Sequence, residues 1–371
     1  MADRERNPGQ GGADVWAQRL AKDPADREAY LALHAHYRSV NDLASLANLV
    51  AGLAAHSSDA PASSRAYSEA GEIAERELGD DKRAEGYYRK ALARDARNVD
   101  ASESLQALLQ RGARWTELHD VLESQIEALT RQRADPHLIG LLHYRLGEVL
   151  NKQFTHTDSA LEHYRRAYEA DPTLLRAMYE ARVLLLARGD MHAVCELFEK
   201  EAAADPDVGR KIALLRALSD QYRLIEDFDG AVSALERGCS LAPSDVSLTH
   251  ALATELVNRS TRVDDRMRAL DLDRVGDLLC DIAQSVGPVE GRVFLEAALG
   301  HAPWHHRALL ELERVTEPGK RADLARYWVA YLTHNPDGDR ADERRIMLAR
   351  AYQQADQFQD AIYAIAPASE H

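Results

Sequence analysis

Cysteine is scarce. Three residues in 371, Cys195, Cys239 and Cys280, stand far apart among apolar neighbours. They read as structural thiols in a reducing compartment. Positive charge is also short, with Lys+Arg 46 against Asp+Glu 61, a formal balance of −15. That argues against a general nucleic-acid or anionic-membrane binder. No run of about 18 apolar residues is present to span a bilayer. The opening MADRERNPGQGGAD has no apolar core for a signal peptide. A cytoplasmic protein is therefore expected, and heavy use of Ala and Arg points to a GC-rich bacterial source. Nowhere do apolar residues alternate over a β-branched run, so strands are not expected. Catalytic signatures are missing too: no Gly-rich phosphate loop, nucleophile elbow, CxxC or HExxH.

What is present is apolar content of 45%, too high for a mainly disordered chain, and a pattern that recurs. The stretch LLHYRLGEVLNKQFTHTDSALEHYRRAYEADP, ending at Pro172, reads as two amphipathic helices joined by a turn. Gly147, Ala160 and Ala167 are small enough for the helices to approach closely, while Tyr164 and the leucines fill the remaining space. Subtracting 76 from each position returns the pattern: Gly71, Ala84, Tyr88, Ala91 and Asp95 correspond to Gly147, Ala160, Tyr164, Ala167 and Asp171. Ala96 stands where Pro172 would be. Internal repetition follows.

The spacing His143-x2-Leu146-Gly147-x2-Leu150…Ala160-x3-Tyr164…Pro172 resembles the tetratricopeptide repeat (TPR) pattern. A third copy reads Leu215-x2-Leu218-Ser219-x2-Tyr222…Ala231-x3-Leu235…Pro243. A fourth reads Val275-x2-Leu278-Leu279-x2-Ile282…Gly291-x3-Leu295…Pro303, and the last runs from Leu348 through Ala361. The family's initial Trp is absent throughout. The resemblance implies an all-α, right-handed superhelical solenoid of antiparallel helical pairs, with about 18 helices.

Along the chain, residues 1–13 are expected to be a disordered leader and 14–258 a repeat solenoid. Between the consensus-like pairs lie divergent ones at 97–134 and 173–205, with 26–56 of the same class. Residues 259–270, RSTRVDDRMRAL, lack a clear apolar face and are expected to form an irregular connection or bend. Regular pairs should resume over 271–371, at 271–302, 304–334 and 340–366, with the final helix stopping near Pro367.

Candidate functional residues fall on the first helix of each pair, on the face turned from the second. They are Arg65, Ser68, Glu72 and Glu75 in the first copy and Leu141, Tyr144, Glu148 and Asn151 in the second. The third copy contributes Arg216, Asp220 and Arg223, the last Ile346, Arg350 and Gln353. Tyr144 is expected to be exposed, as an interface anchor. Family members that clamp a C-terminal carboxylate use Asn and Lys on this face, and Glu72, Glu148 and Asp220 take the Asn-like place here, so that activity looks absent. His301, His305 and His306, with Glu296 and Glu311 nearby, form the one cluster to weigh as a metal site, though Pro303 interrupts it. Acidic pairs at Asp80-Asp81 and Asp264-Asp265, and Asp227 with Asp229, read as helix caps. The combined expectation is a non-enzymatic scaffold or adaptor without cofactor or metal, binding a protein or peptide on its concave face. The alternative is a regulator sensing a peptide or small ligand in the same groove. A metal-dependent enzyme at the histidine cluster is the minor reading. No nucleic-acid or membrane partner is expected.

Overall fold

The computed structural model describes residues 10–338, 340–354 and 357–365. Contacts divide the chain into two compact units, Met1–Leu184 and Leu185–His371. Twenty α-helices, one π-helical turn and one 3-10 segment are present among the described residues, and no strand.

The first unit holds α1 (Gln10–Lys22), α2 (Arg27–Ser39), α3 (Leu43–His56), α4 (Ala60–Glu72), α5 (Asp81–Arg94), α6 (Val99–Arg111), α7 (Trp115–Arg131), α8 (Pro136–Lys152) and α9 (Thr157–Ala170). Helix α4 runs on into a π-helical turn, Ile73–Glu77. Helix α10 (Leu175–Arg188) contains the boundary between units. From α1 to α9 each helix packs on its neighbours in the chain, most extensively in the hairpins α4–α5 and α8–α9.

Those two hairpins share one device. A Cβ built on Gly71 would stand 2.5 Å from the Tyr88 ring, and one on Gly147 would stand 2.7 Å from the Tyr164 ring. Both rings are fully buried. The tyrosine thus lies on bare backbone, and the helices come closer than any side chain at that position would allow. Divergent pairs replace this seam. In α6–α7 a buried polar chain takes over: Gln106 Nε2 donates to Ser102 Oγ (2.8 Å), Ser102 Oγ to Gln125 Oε1 (2.8 Å), and Gln125 Nε2 to the Ala96 carbonyl (2.9 Å). Every member is satisfied, so the interior tolerates it.

The turns are equally regular. A residue with positive φ ends the first helix, and an acidic residue usually caps the second. Asn41-Asp42, Gly79-Asp80, Gly189-Asp190 and Glu226-Asp227 all follow this order. The aspartates accept backbone N–H groups of Ser45, Arg83, Ala193 and Gly230, satisfying donors a helix start leaves unpaired. Asp80, Asp227 and Asp264 therefore do the capping expected of them, Asp264 accepting from Met267 N. Ala113-Arg114 and Thr155-His156 keep the positive φ without a side-chain cap. Thr155, at φ 54, is β-branched where Gly79 stands in the sister copy.

The second unit holds α11 (Met191–Ala204), α12 (Val208–Leu224), α13 (Phe228–Leu241), α14 (Val246–Ser260), α15 (Asp265–Val286), α16 (Pro288–His301) and α17 (His306–Val315), then the 3-10 segment Pro318–Leu324. It closes with α18 (Ala325–His334), α19 (Ala341–Gln354) and α20 (Phe358–Ile365). Ser219 and Leu235, both buried, stand in the places of the glycine and tyrosine. When the glycine gains a side chain, the facing ring gives way to a smaller group. Near the end, the buried carboxylate of Glu313 accepts from Trp328 Nε1 (3.0 Å) and Arg344 Nε (2.9 Å), linking α17, α18 and α19.

Two boundaries differ from the sequence reading, and a third falls outside the described residues. Gln10 to Ala13, assigned to a leader, belong to α1, and residues 1–9 lie outside the described residues. The stretch 259–270 is helical except for 261–264. One of its charges is drawn in: Arg259 binds both oxygens of the buried Asp271 (3.0 and 2.6 Å), while Arg268, whose Nε donates to the Ser260 carbonyl (2.9 Å), stays exposed with Arg262, Asp264, Asp265 and Arg266. An ion pair replaces the apolar face whose absence looked like irregularity. Pro367 lies outside the described residues.

Two outcomes are expected. Gly147→Ala should destabilise the chain by about 1–3 kcal/mol, because the Tyr164 ring has no free direction in which to yield. Thr155→Gly should stabilise it by roughly 1 kcal/mol, by removing a side chain from left-handed backbone. Urea denaturation of each variant against the parent reads both.

Candidate functional site

The first-helix rows are separable by what their side chains already do. On α4, Arg65 is exposed and Glu72 half-buried, with Arg76 3.8 Å away. Glu75 is committed to packing, since it accepts from Tyr88 Oη (2.8 Å) and Arg111 Nη2 (2.9 Å). Ser68 is buried.

On α8, Leu141 is exposed and Asn151 half-buried. Tyr144 is not the exposed anchor the sequence reading made it. It is 9% exposed, its ring centroid lies 5.8 Å from that of Tyr164, and the Arg176 guanidinium of α10 sits 5.7 Å from the ring. The first turn of α10 covers it. Burial, with Glu148 beside it, pushes the phenol up to about 12. Glu148 is buried as well, held by Arg145 (3.0 Å) and Lys152 (2.7 Å). Burial works against its charge, yet the hydrogen bonds from Lys152 and Arg145 carry its carboxyl below the usual range. The Tyr144 and Tyr164 hydroxyls are buried without hydrogen-bond partners. In the sister copy Tyr88 Oη donates to Glu75, whereas Asn151, at the same register, approaches the Tyr164 hydroxyl without forming a well-aligned hydrogen bond.

On α12, Arg216 Nη1 donates to Ser247 Oγ (3.2 Å), Asp220 pairs with Arg223 (2.7 Å), and Arg223 reaches the buried Glu255 (2.9 Å). This row thus ties α12 to α14 while keeping all three side chains exposed. Ile346, Arg350 and Gln353 are exposed on α19.

Sequence reasoning missed Tyr179 on the divergent α10, which is 50% exposed with Arg182 5.2 Å from its ring. Arg176 lies against Tyr144, and Tyr179 follows it by one turn, while Leu141 precedes Tyr144 by one turn. Two exposed apolar side chains therefore flank the Tyr144–Arg176 contact. The signal was an aromatic residue inside a helix that lacks the repeat's marker positions.

Larger cavities lie elsewhere in the first unit, the largest of them, about 910 Å³, a charged cleft lined by Asp81, Glu85, Arg89, Leu108, Arg111 and Arg114. One of about 410 Å³ is lined by Leu20, Tyr30, Leu33, Tyr37, Asn48 and Leu53, from α1 to α3. Another of about 390 Å³, lined by Leu92, Ala93, Val121 and Ala128, separates α5 from α7. Neither includes a row residue. A polar cleft of about 60 Å³ at Gln106, Trp115, Arg145 and Glu148 does.

The three histidines do not converge. His305 is buried, caps α17 by accepting from Ala308 N (3.2 Å), and lies over Gly276, whose Cβ would meet its ring at 2.5 Å. His306 Nδ1 meets Tyr331 Oη (2.9 Å), and His301 is exposed at the end of α16. Among the described residues, the single group of three metal-type ligands within reach of one another is His119, Asp120 and Glu123, on one turn of α7 with both acids exposed. No helix among the described residues is long and apolar enough to cross a membrane.

No family model and no curated protein matches the chain. Solved structures do. YrrB, a TPR protein described as having an unusual peptide-binding site, is 19% identical with a TM-score of 0.30, over 64% of this chain and 98% of that one. PilF of Pseudomonas aeruginosa is 17% identical with a TM-score of 0.33, over 67% and 100%. The C-terminal part of a TPR-containing protein from Cytophaga hutchinsonii is 12% identical with a TM-score of 0.33, over 74% and 98%.

Tyr144→Ala should lower the melting temperature, with a loss of about 3 kcal/mol. Tyr144→Phe, which removes only a hydroxyl without a partner, should be neutral or stabilising. Thermal unfolding of the two variants distinguishes a packed ring from an exposed one. With glycine–tyrosine seams, left-handed turns capped by aspartate and antiparallel hairpins in series, the chain is an all-α array of helical hairpins whose repeat spacing resembles the tetratricopeptide pattern.

Proposed function

We propose that the chain is a non-enzymatic scaffold that holds a peptide or protein partner on the first-helix rows of its hairpins. The observation that carries this reading is the surface around α8 and α10. Leu141 and Tyr179 are exposed there, while Tyr144 and Glu148 on α8 are buried. An exposed ring flanked by guanidinium groups on a rigid helical face is the chemistry of an interface anchor. Arg65, Glu72 and Asn151 supply the polar rim in the first unit, and Arg216, Asp220 and Arg223 offer a second surface in the other. Tyr144 contributes from below, by fixing the α8–α10 contact. The free thiols fit a cytoplasmic setting.

A second reading, a regulator that senses a small ligand, is favoured by the cavity of about 410 Å³ at α1–α3, whose size and apolar lining suit a small molecule.

Affinity purification of the parent and of a Leu141→Ser/Tyr179→Ala variant, with mass spectrometry, tests the scaffold. One dominant protein captured by the parent and lost from the variant, at unchanged melting temperature, is the expected result. Equal capture by both moves the site off this face. A co-purifying small molecule with no protein supports the second reading instead.

A further inference from the structure

Two histidines meet inside the α8–α9 hairpin. His143 Nδ1 and His163 Nδ1 are 3.0 Å apart. The ring centroids stand 5.2 Å apart, so the nitrogens lead and the rings face each other head-on. His143 is buried and His163 half-buried. A head-on pair at this distance is a hydrogen bond only while one Nδ1 carries a proton and the other is bare. With both rings protonated, two N–H groups point at one another and two cations share a partly buried space.

The sister repeat is an internal comparison. Subtracting 76 places Tyr67 and Tyr87 where the histidines stand, and Lys90 where Arg166 stands. Both tyrosines are buried, and Lys90 Nζ lies 5.8 and 5.7 Å from their centroids. Packing at this place is therefore met by rings that take up no proton in mild acid. The imidazoles add a titratable contact that the hairpin does not need in order to close.

We propose that His143 and His163 form a proton-sensitive latch on the α8–α9 hairpin, closed while one Nδ1 is bare and released when both rings are protonated. The charged groups that face the pair are Arg166 and Glu162 from α9 and His119 from α7. Glu162 favours protonation, but its carboxylate is already held by Arg165 and Arg166. Burial, then the partner ring and Arg166, pushes His143 down to about 4, and burial with Arg166 lowers His163. An unfolded imidazole titrates near 6.5, so the opened hairpin binds protons that the closed one refuses. Stability of the hairpin is full above about pH 6.5 and falls as the pH drops toward 4, with its opening constant rising toward tenfold per pH unit from His143 and further from the lowered His163. This window opens before the carboxylates begin to protonate. Because α8 also carries Leu141 and Asn151, opening would disturb the proposed binding surface. That last clause rests on the scaffold reading, whereas the latch does not.

Hydrogen exchange of the full chain, free of any partner, tests the latch apart from the scaffold reading. Protection factors of α8–α9 amides are compared with those of α4–α5 between pH 7.5 and 5. The expected result is a selective loss of protection in α8–α9, which a His143→Tyr/His163→Tyr variant abolishes. Parallel changes in both hairpins of the parent overturn the proposal even if the variant does not fold. So does an acid-induced loss that survives in a folded variant. Selective protection of α8–α9 by added Zn²⁺ at pH 7.5, absent in the variant, would also overturn it by making the pair a metal site.

Discussion

Contact between a tyrosine ring and bare backbone is the constraint on which the hairpins depend. At Gly71 and Gly147 no side chain of any size fits, and the facing ring fills the space a Cβ would need. Close approach then fixes which neighbouring positions must be small, so Ala84 and Ala91 in one hairpin, and Ala160 and Ala167 in the other, are fully buried. The same solution appears outside the consensus copies, where His305 lies over Gly276 and helps hold α17 to α15. Gly291 carries the idea further: its Cβ would meet the Ala283 carbonyl oxygen at 2.4 Å, so there backbone approaches backbone.

Once the helices are that close, the turn between them has little freedom. One residue must enter the left-handed region, and the next must stop the following helix from fraying. Asp at that second position answers the exposed N–H groups and favours the positive end of the helix dipole. Much of the acidic excess is structural in this sense. Asp26, Asp42, Asp80, Asp190, Asp207, Asp227, Asp245 and Asp264 all accept backbone N–H groups at helix starts. The capping aspartates keep their charge, so part of the negative balance is a by-product of how the helices start.

This division explains what could be read from the sequence. The seam was legible because Gly147 and Tyr164 recur as Gly71 and Tyr88 at one offset, and a bare backbone position with a facing ring tolerates few alternatives. Capping by Asp80, Asp227 and Asp264 was legible because local hydrogen bonding depends on neighbours in sequence. The burial of Tyr144 was not, since it is covered by Arg176 from a divergent helix that carries no repeat marker. The inward Arg259 escaped for a related reason: an Arg259–Asp271 pair and an apolar face serve the same packing role but look opposite in a hydropathy pattern. His143 and His163 stood 20 positions apart, and their meeting is visible only when the hairpin closes.

Sister repeats with one backbone solution and different fillings show where selection for packing ends. Tyr88 and Tyr164 occupy equivalent places, yet one hydroxyl is satisfied by Glu75 and the other is not satisfied by Asn151. Tyr67 and Tyr87 occupy the places of His143 and His163. In each comparison the α4–α5 hairpin holds the locally more stable choice, a satisfied phenol and a ring pair with no acid titration. The α8–α9 hairpin gives up both at the helix that presents Leu141 and Asn151. Two independent losses of local stability on one hairpin are what a moving or binding element requires, since such elements are drawn from the less stable part of a fold. On that ground the proposed binding face and latch fall on α8–α9 rather than on its better-satisfied sister.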